Sequence, residues 1–166
     1  MKEMLLSKGE LCLVSDEDYD WICHLKWYRG TCGYAVVYIY CPKTKKQHGL
    51  FMHRVILRLK SNESCDHING NRLDNRRENL RIATQAENVR NASAQKGSTS
   101  KFKGVYWNKR RKKWHSQVRI GSTRFHLGFY KEEEEAGRAY DKKASELFGE
   151  FARLNFPTQC KEKENG

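Results

Sequence analysis

The apolar positions of this chain change their period several times, and each change marks a candidate element. "ELCLVS" (10–15) is a short apolar run that reads as a strand. "DEDYDWICHLKW" (16–27) reads as a short helix begun by an acidic turn, and "YAVVYIY" (34–40) as a second strand. "CPKTKKQHG" (41–49) reads as a turn leading to a strand at "LFMH" (50–53). That strand competes with a helix over "FMHRVILRLK" (51–60), where Met52, Val55, Ile56 and Leu59 fall on one face. The helix is the favoured reading. Trp21, Trp27 and Tyr28 are assigned to the core of this first region rather than to ligand stacking.

Periodicity lapses in "SCDHINGNRLDNRRENLRIATQAENVRN" (64–91), which holds six asparagines. "CDHI" suits the end of a strand, "NGNRLDNRREN" is turn chemistry, and "LRIA" can pair back antiparallel. Thr84 with Glu87 three residues on forms a capping box that starts a helix. After the small-residue stretch "NASAQKGSTS" (91–100), the period-2 pattern returns. "GVYWNKRRKKWHSQVRI", the turn "GST" and "RFHLGFY" read as a three-stranded antiparallel meander. "KEEEEAGRAYDKKASELFG" then reads as a helix with glutamates at its positive start and Gly149 past its end. Its stripe of Ala136, Tyr140, Ala144, Leu147 and Phe148 would lie on the sheet. The expected class is α+β, in five parts. They are a small β-rich N-terminal unit (1–50), a β–loop–β–α core (51–95), a linker (96–101), a sheet-and-helix domain (102–157) and a disordered charged tail (158–166).

Composition narrows the partners. No apolar run approaches the roughly 20 residues of a membrane span, and "MKEMLLSKGE" lacks the apolar block of a signal peptide. These features read as an intracellular chain with no membrane partner. The six cysteines show neither C-x-x-C nor zinc-finger spacing, so reduced thiols are expected, with Cys23, Cys32 and Cys41 as a loose metal alternative. Net charge is +12. Residues 96–131 carry 11 basic groups and no acid. Such one-sided charge calls for a polyanion, and nucleic acid is the foremost candidate.

Two sites follow from residue chemistry. In the asparagine-rich segment, Asp66 on the first strand and Asn88 on the first helical turn could converge. Their oxygens suit Mg²⁺ or Mn²⁺ better than zinc and leave room for phosphate and water. His67, if the strand ends there, could act as general base on a water. On the meander, alternation sends Trp114, Ser116, Val118 and Ile120 to one face and His115, Gln117 and Arg119 to the other. Arg124 and His126 join that second face from the next strand. Arginine and glutamine make bidentate contacts to guanine and adenine edges, and Lys109 and Arg110 in the turn could meet phosphates.

"MHRVI", "DHINGNRLDNRRENLR" and "QAENVRN" together resemble the HNH endonucleases, specifically the phage and intron-type homing enzymes, across about residues 52–91. The resemblance implies a ββα-metal core with Asp66 and Asn88 as metal ligands, His67 as general base and Asn79 as the central asparagine that braces the loop. Asn88 stands where other branches have a final histidine. "KGVYW", "WHSQVR", "RFHLGFY" and "LNFP" resemble the plant ethylene-response-factor type (ERF-like) DNA-binding domain. That likeness places Lys103, Tyr106, Gln117, Arg119, Arg124 and His126 at DNA-contacting positions. "NKRRKK" departs from the pattern, so target sequence does not carry over. The expected protein is a site-specific, nicking DNA endonuclease acting as a monomer on double-stranded DNA, with a divalent metal and no small-molecule cofactor. The rivals are a transcriptional regulator with a degenerate HNH unit and, with less support, an RNA-binding protein.

Overall fold

The computed structural model describes residues 1–92, 94 and 97–157, so the charged tail and part of the linker lie outside the described residues. The chain clusters into two compact units, Met1–Val89 and Arg90–Gly166. No helix among the described residues is long and apolar enough to cross a membrane.

In the first unit, β1 (Lys2–Leu5) pairs antiparallel with β2 (Leu11–Val14), and helix α1 (Asp16–Ile22) follows. The next sheet comprises β3 (Tyr28–Arg29), β4 (Ala35–Cys41) and β5 (Lys46–Phe51). The inner half of β4 is buried, whereas Tyr38, Ile39 and Tyr40 and the facing part of β5 are exposed. The outer half of this β-ribbon therefore carries solvent on both faces. β5 hands over at Phe51 to α2 (Met52–Ile56), so strand and helix abut rather than exclude one another. The helix expected over 51–60 is cut to five residues, with Leu57 as its C-cap. Next come β6 (Cys65–His67), β7 (Asp74–Asn75), a 3₁₀ turn (Arg77–Asn79), β8 (Leu80–Ile82) and α3 (Gln85–Asn91).

The expected boundary at residue 50 does not divide compact units. β7 adds in parallel to β2, with Leu13 opposite Asp74 and Val14 opposite Asn75. One core joins Met4, Leu6, Cys12, Val14, Ile22 and Trp27 to Met52, Ile56 and Leu80. Neither part has enough apolar surface for a core of its own, and sharing removes both from water. Trp27 is buried as expected, but Trp21 is 44 % exposed.

The second unit is a meander of β9 (Val105–Asn108), β10 (Lys113–Ile120) and β11 (Thr123–Tyr130), packed on α4 (Glu133–Phe148). Ala136, Tyr140, Ala144 and Phe148 of α4 are buried, with Val118, Ile120 and Leu127 packed alongside. Gly104 sits at φ 76°, and a Cβ there would lie 2.0 Å from the Tyr140 ring. Only glycine lets the chain pass so close to the helix. The unit starts earlier than expected: Ser100 Oγ donates to Glu133 at 2.6 Å, and Thr99 Oγ1 accepts from the Trp107 amide at 2.9 Å. Asn155 closes it from the far end, accepting from the Lys103 amide while its own amide donates to Asp141.

Candidate functional site

The loop from His67 to Leu80 is built by short amide side chains that bond to backbone in place of a ladder. Gly70, at φ 77°, turns the chain back with its amide on the His67 carbonyl at 2.8 Å. Asn69 Oδ1 accepts from the Asn71 amide, and Asn71 Oδ1 from the Leu73 amide. Asn79 ties the two ends together. Its Oδ1 accepts from the Asn69 amide at 2.9 Å, and its Nδ2 donates to Asn69 Oδ1 and the Asp74 carbonyl. Asp74 is itself held by Arg76 and Asn69, and the Arg76 guanidinium keeps its carboxyl below the usual range.

β6 pairs antiparallel with β8 and ends at His67. Asp66 faces Arg81 across the pair, and the guanidinium donates to Oδ2 at 2.8 and 3.1 Å. His67 points into the unit and is only 5 % exposed. Its ring lies 5.2 Å from that of His53 and 5.7 Å from that of Tyr34, and its Nε2 is 3.4 Å from Asn75 Oδ1. Burial lowers the His67 pKa most, with Asn75, Asp66 and Asp74 pulling it back upward. Burial pushes His53 further down, to about 3, with His67 and Arg54 adding to it. Both imidazoles are thus neutral near pH 7.

The capping box forms: the Thr84 amide donates to Glu87 at 2.7 Å, and the Glu87 amide donates to Thr84 Oγ1 at 3.3 Å. This sets Asn88 on the first turns of α3, where its Nδ2 donates to the Cys65 carbonyl at 3.1 Å. Its Oδ1 is buried with no hydrogen-bond partner. Asn88 is therefore anchored to the residue preceding Asp66 and keeps one acceptor unspent. Among the described residues no three His, Cys, Asp or Glu side chains gather as a metal site, so Cys23, Cys32 and Cys41 do not form one.

In the second unit the helix-facing residues fall as the alternation predicts, but β11 carries a bulge. Ser116 opposes Gly128 and Gln117 opposes His126, which skips Leu127. Arg124 and His126 are exposed, and so are Lys109 and Arg110 in the turn. Gln117 is half-buried, and Arg119 is exposed, with its Nε on the Gly121 carbonyl at 2.8 Å. Tyr106 packs edge-on against His115 at 4.7 Å. His115, expected on the open face, is instead 2 % exposed beneath Tyr106, His126 and Phe129. Lys103 is also turned inward. Its Nζ donates to the carbonyls of Arg90 and Ala92, and burial lowers its pKa to about 8.

Residues 51–90 match the family model described as HNH endonuclease, and residues 100–150 match the AP2 domain. A protein of Acanthamoeba polyphaga mimivirus, named as an uncharacterized HNH endonuclease, is 35 % identical over 150 residues, 89 % of this chain and 76 % of that protein. The chain belongs to the HNH endonuclease family. Protein 3.8 of Escherichia phage T7 is 35 % identical over 89 residues, 54 % of this chain and 73 % of its own. The two matched segments follow one another along the chain without overlap. Sequence reasoning passed over His53, Asn75 and Arg81. Arg81 was legible, since pairing "LRIA" with "CDHI" sets a cation across from Asp66. The burial of His53 was not, because helical periodicity counted only its apolar neighbours.

Proposed function

We propose that this HNH protein is a site-specific, divalent-metal-dependent DNA endonuclease of the homing type, in which the AP2 sheet reads double-stranded DNA and the HNH module hydrolyses a phosphodiester bond. The observation that carries the reading is the unspent Oδ1 of Asn88, buried and anchored to the Cys65 carbonyl beside Asp66. A buried acceptor without a partner costs about 1–3 kcal/mol, so a cation there would relieve it. An amide and a carboxylate oxygen fit a hard cation, so Asp66 and Asn88 would hold Mg²⁺ or Mn²⁺. Such an ion would supply Lewis acidity to the reacting phosphate. The neutral imidazole of His67 takes the proton of the attacking water. Asn79 holds the loop that follows His67, and Arg81 balances the Asp66 carboxylate.

On this reading the products carry 5′-phosphate and 3′-hydroxyl ends. One HNH module per chain acts as a monomer that nicks one strand, inside the cell or infected host that holds the DNA. On the AP2 sheet, Gln117, Arg119, Arg124 and His126 meet base edges, Tyr106 joins the DNA-contacting surface from the neighbouring strand, and Lys109 and Arg110 meet phosphates. Lys103, bound to backbone carbonyls, supports that surface from within. The test is plasmid nicking with Mg²⁺. Wild type nicks, His67→Ala loses about 10²–10⁴-fold in rate while keeping DNA affinity, and Asp66→Ala loses metal affinity. Specific DNA binding without cutting under Mg²⁺ or Mn²⁺ would leave a DNA-binding regulator instead.

A further inference from the structure

Asn75 is fully buried, yet no part of the mechanism above uses it. It lies on β7, whose two residues bridge in parallel to β2, so the N-terminal strands fix its backbone. Its side chain spans two partners. Nδ2 donates to Cys12 Sγ at 3.2 Å, and Oδ1 stands 3.4 Å from His67 Nε2. We propose that Asn75 is the positioning residue of the general base: it accepts the Nε2–H of His67 and so assigns proton removal to Nδ1. The inference rests on His67 being that base.

The direction of the amide decides the matter. An asparagine amide has an accepting and a donating end, and turning it over would present NH₂ to the imidazole. Nε2 would then have to accept, the ring proton would move to Nδ1, and Nδ1 could no longer act as a base. The floor beneath Asn75 selects between the two. Cys12 is fully buried, and burial raises its thiol to about 11, so the sulfur stays protonated. Its S–H has outlets in Met52 Sδ at 3.5 Å and the Leu13 carbonyl at 3.9 Å. The sulfur lone pairs are left to accept from Asn75 Nδ2, which turns Oδ1 toward His67. His53 and Tyr34 hold the plane of the imidazole by ring packing. Asn75 chooses which nitrogen carries the proton.

The ring nitrogens of His67 report this directly by ¹⁵N NMR at pH 7.5, on the full chain without metal or DNA. The expected wild-type state is protonated at Nε2. Asn75→Ala should mix the tautomers and lower the single-turnover nicking rate by about 10–100-fold, the range typical of groups that orient a site from behind, with DNA KM unchanged. Asn75→Asp, whose carboxylate can only accept, should keep the Nε2–H state and restore most of the rate. A wild-type ring protonated at Nδ1 overturns the proposal without any variant having to fold. So does a loss in Asn75→Ala that merely follows the unfolded fraction measured on the same sample. If His67→Ala nicks at the wild-type rate, the general-base reading fails instead, whatever tautomer is seen.

Discussion

Replacing His53 with phenylalanine should flatten the acid side of the stability profile of the first unit. The His53 ring is 9 % exposed, stacked on Phe51 at 5.6 Å and edge-on to Tyr34 and His67. Its pKa is lowered to about 3, first by burial and then by His67 and Arg54. In the unfolded chain it titrates near 6.5. A folded pKa below the unfolded one means stability is fully present above about pH 6.5 and is lost as pH falls toward 3. The slope builds from half its full value at pH 6.5 toward about 1.4 kcal/mol per pH unit below it, so roughly 2 kcal/mol disappears between pH 6.5 and 4.5. That is a large share of the roughly 5–15 kcal/mol that holds a domain together. Phenylalanine keeps a ring in the cluster while removing the titration and the partnerless Nδ1. The change at pH 7.5 should stay within about 1.5 kcal/mol. Urea melts at pH 7.5, 6.5, 5.5 and 4.5, followed at resolved amides of β2 and β6, give the two profiles. His67, also lowered by burial, leaves the variant a residual slope. If wild type and variant lose stability in parallel, His53 is not the buried neutral group described.

Gly104→Ala should destabilise the second unit by about 3 kcal/mol or more, since its Cβ would meet Tyr140 at 2.0 Å and the Gln117 carbonyl at 2.6 Å; a thermal melt followed on that unit checks it. Gln117→Ala should cost about 1–3 kcal/mol in discrimination between target and non-target DNA, and an equal loss on both in competition binding would remove it from the reading face. The acid limb of nicking should have its midpoint below about pH 6.5, because burial lowers His67 and only its neutral form accepts a proton. A midpoint above that value, measured under single-turnover conditions, would contradict the burial.

What the sequence disclosed was local. Thr84 and Glu87 announce the start of α3 because a capping box is complete within four residues, and the alternation around Val118 sorts the sheet faces for the same reason. Non-local terms stayed hidden. β1, in "MKEMLLSKGE", has no period of its own and exists because β2 pairs with it. The parallel step from Val14 to Asn75 joins residues about sixty positions apart, with no local signal in either. The bulge at Ser116 and Gln117 left β10 unbroken in pattern while shifting its partner, so the burial of His115 went unseen. At the site itself, residue types indicated Asp66, His67 and Asn88, and the family resemblance added Asn79. The pairing of two short strands made Arg81 legible behind Asp66, but nothing local pointed to Asn75 behind His67.

The seat of Asn75 on an N-terminal strand bears on how such enzymes can be rearranged. The matched HNH segment opens at residue 51, which invites treating what precedes it as an optional attachment. A graft or recombination joined at that point would carry off Asp66, His67 and Asn88 but leave behind Cys12 and the strand on which β7 rests. The transplanted motif would keep its residues but lose the scaffolding behind His67. A crossover in the short stretch after α3 would move the whole nuclease intact and exchange only the reader. Lineages that trade specificity by shuffling should therefore show their seams there, and not at the edge of the motif.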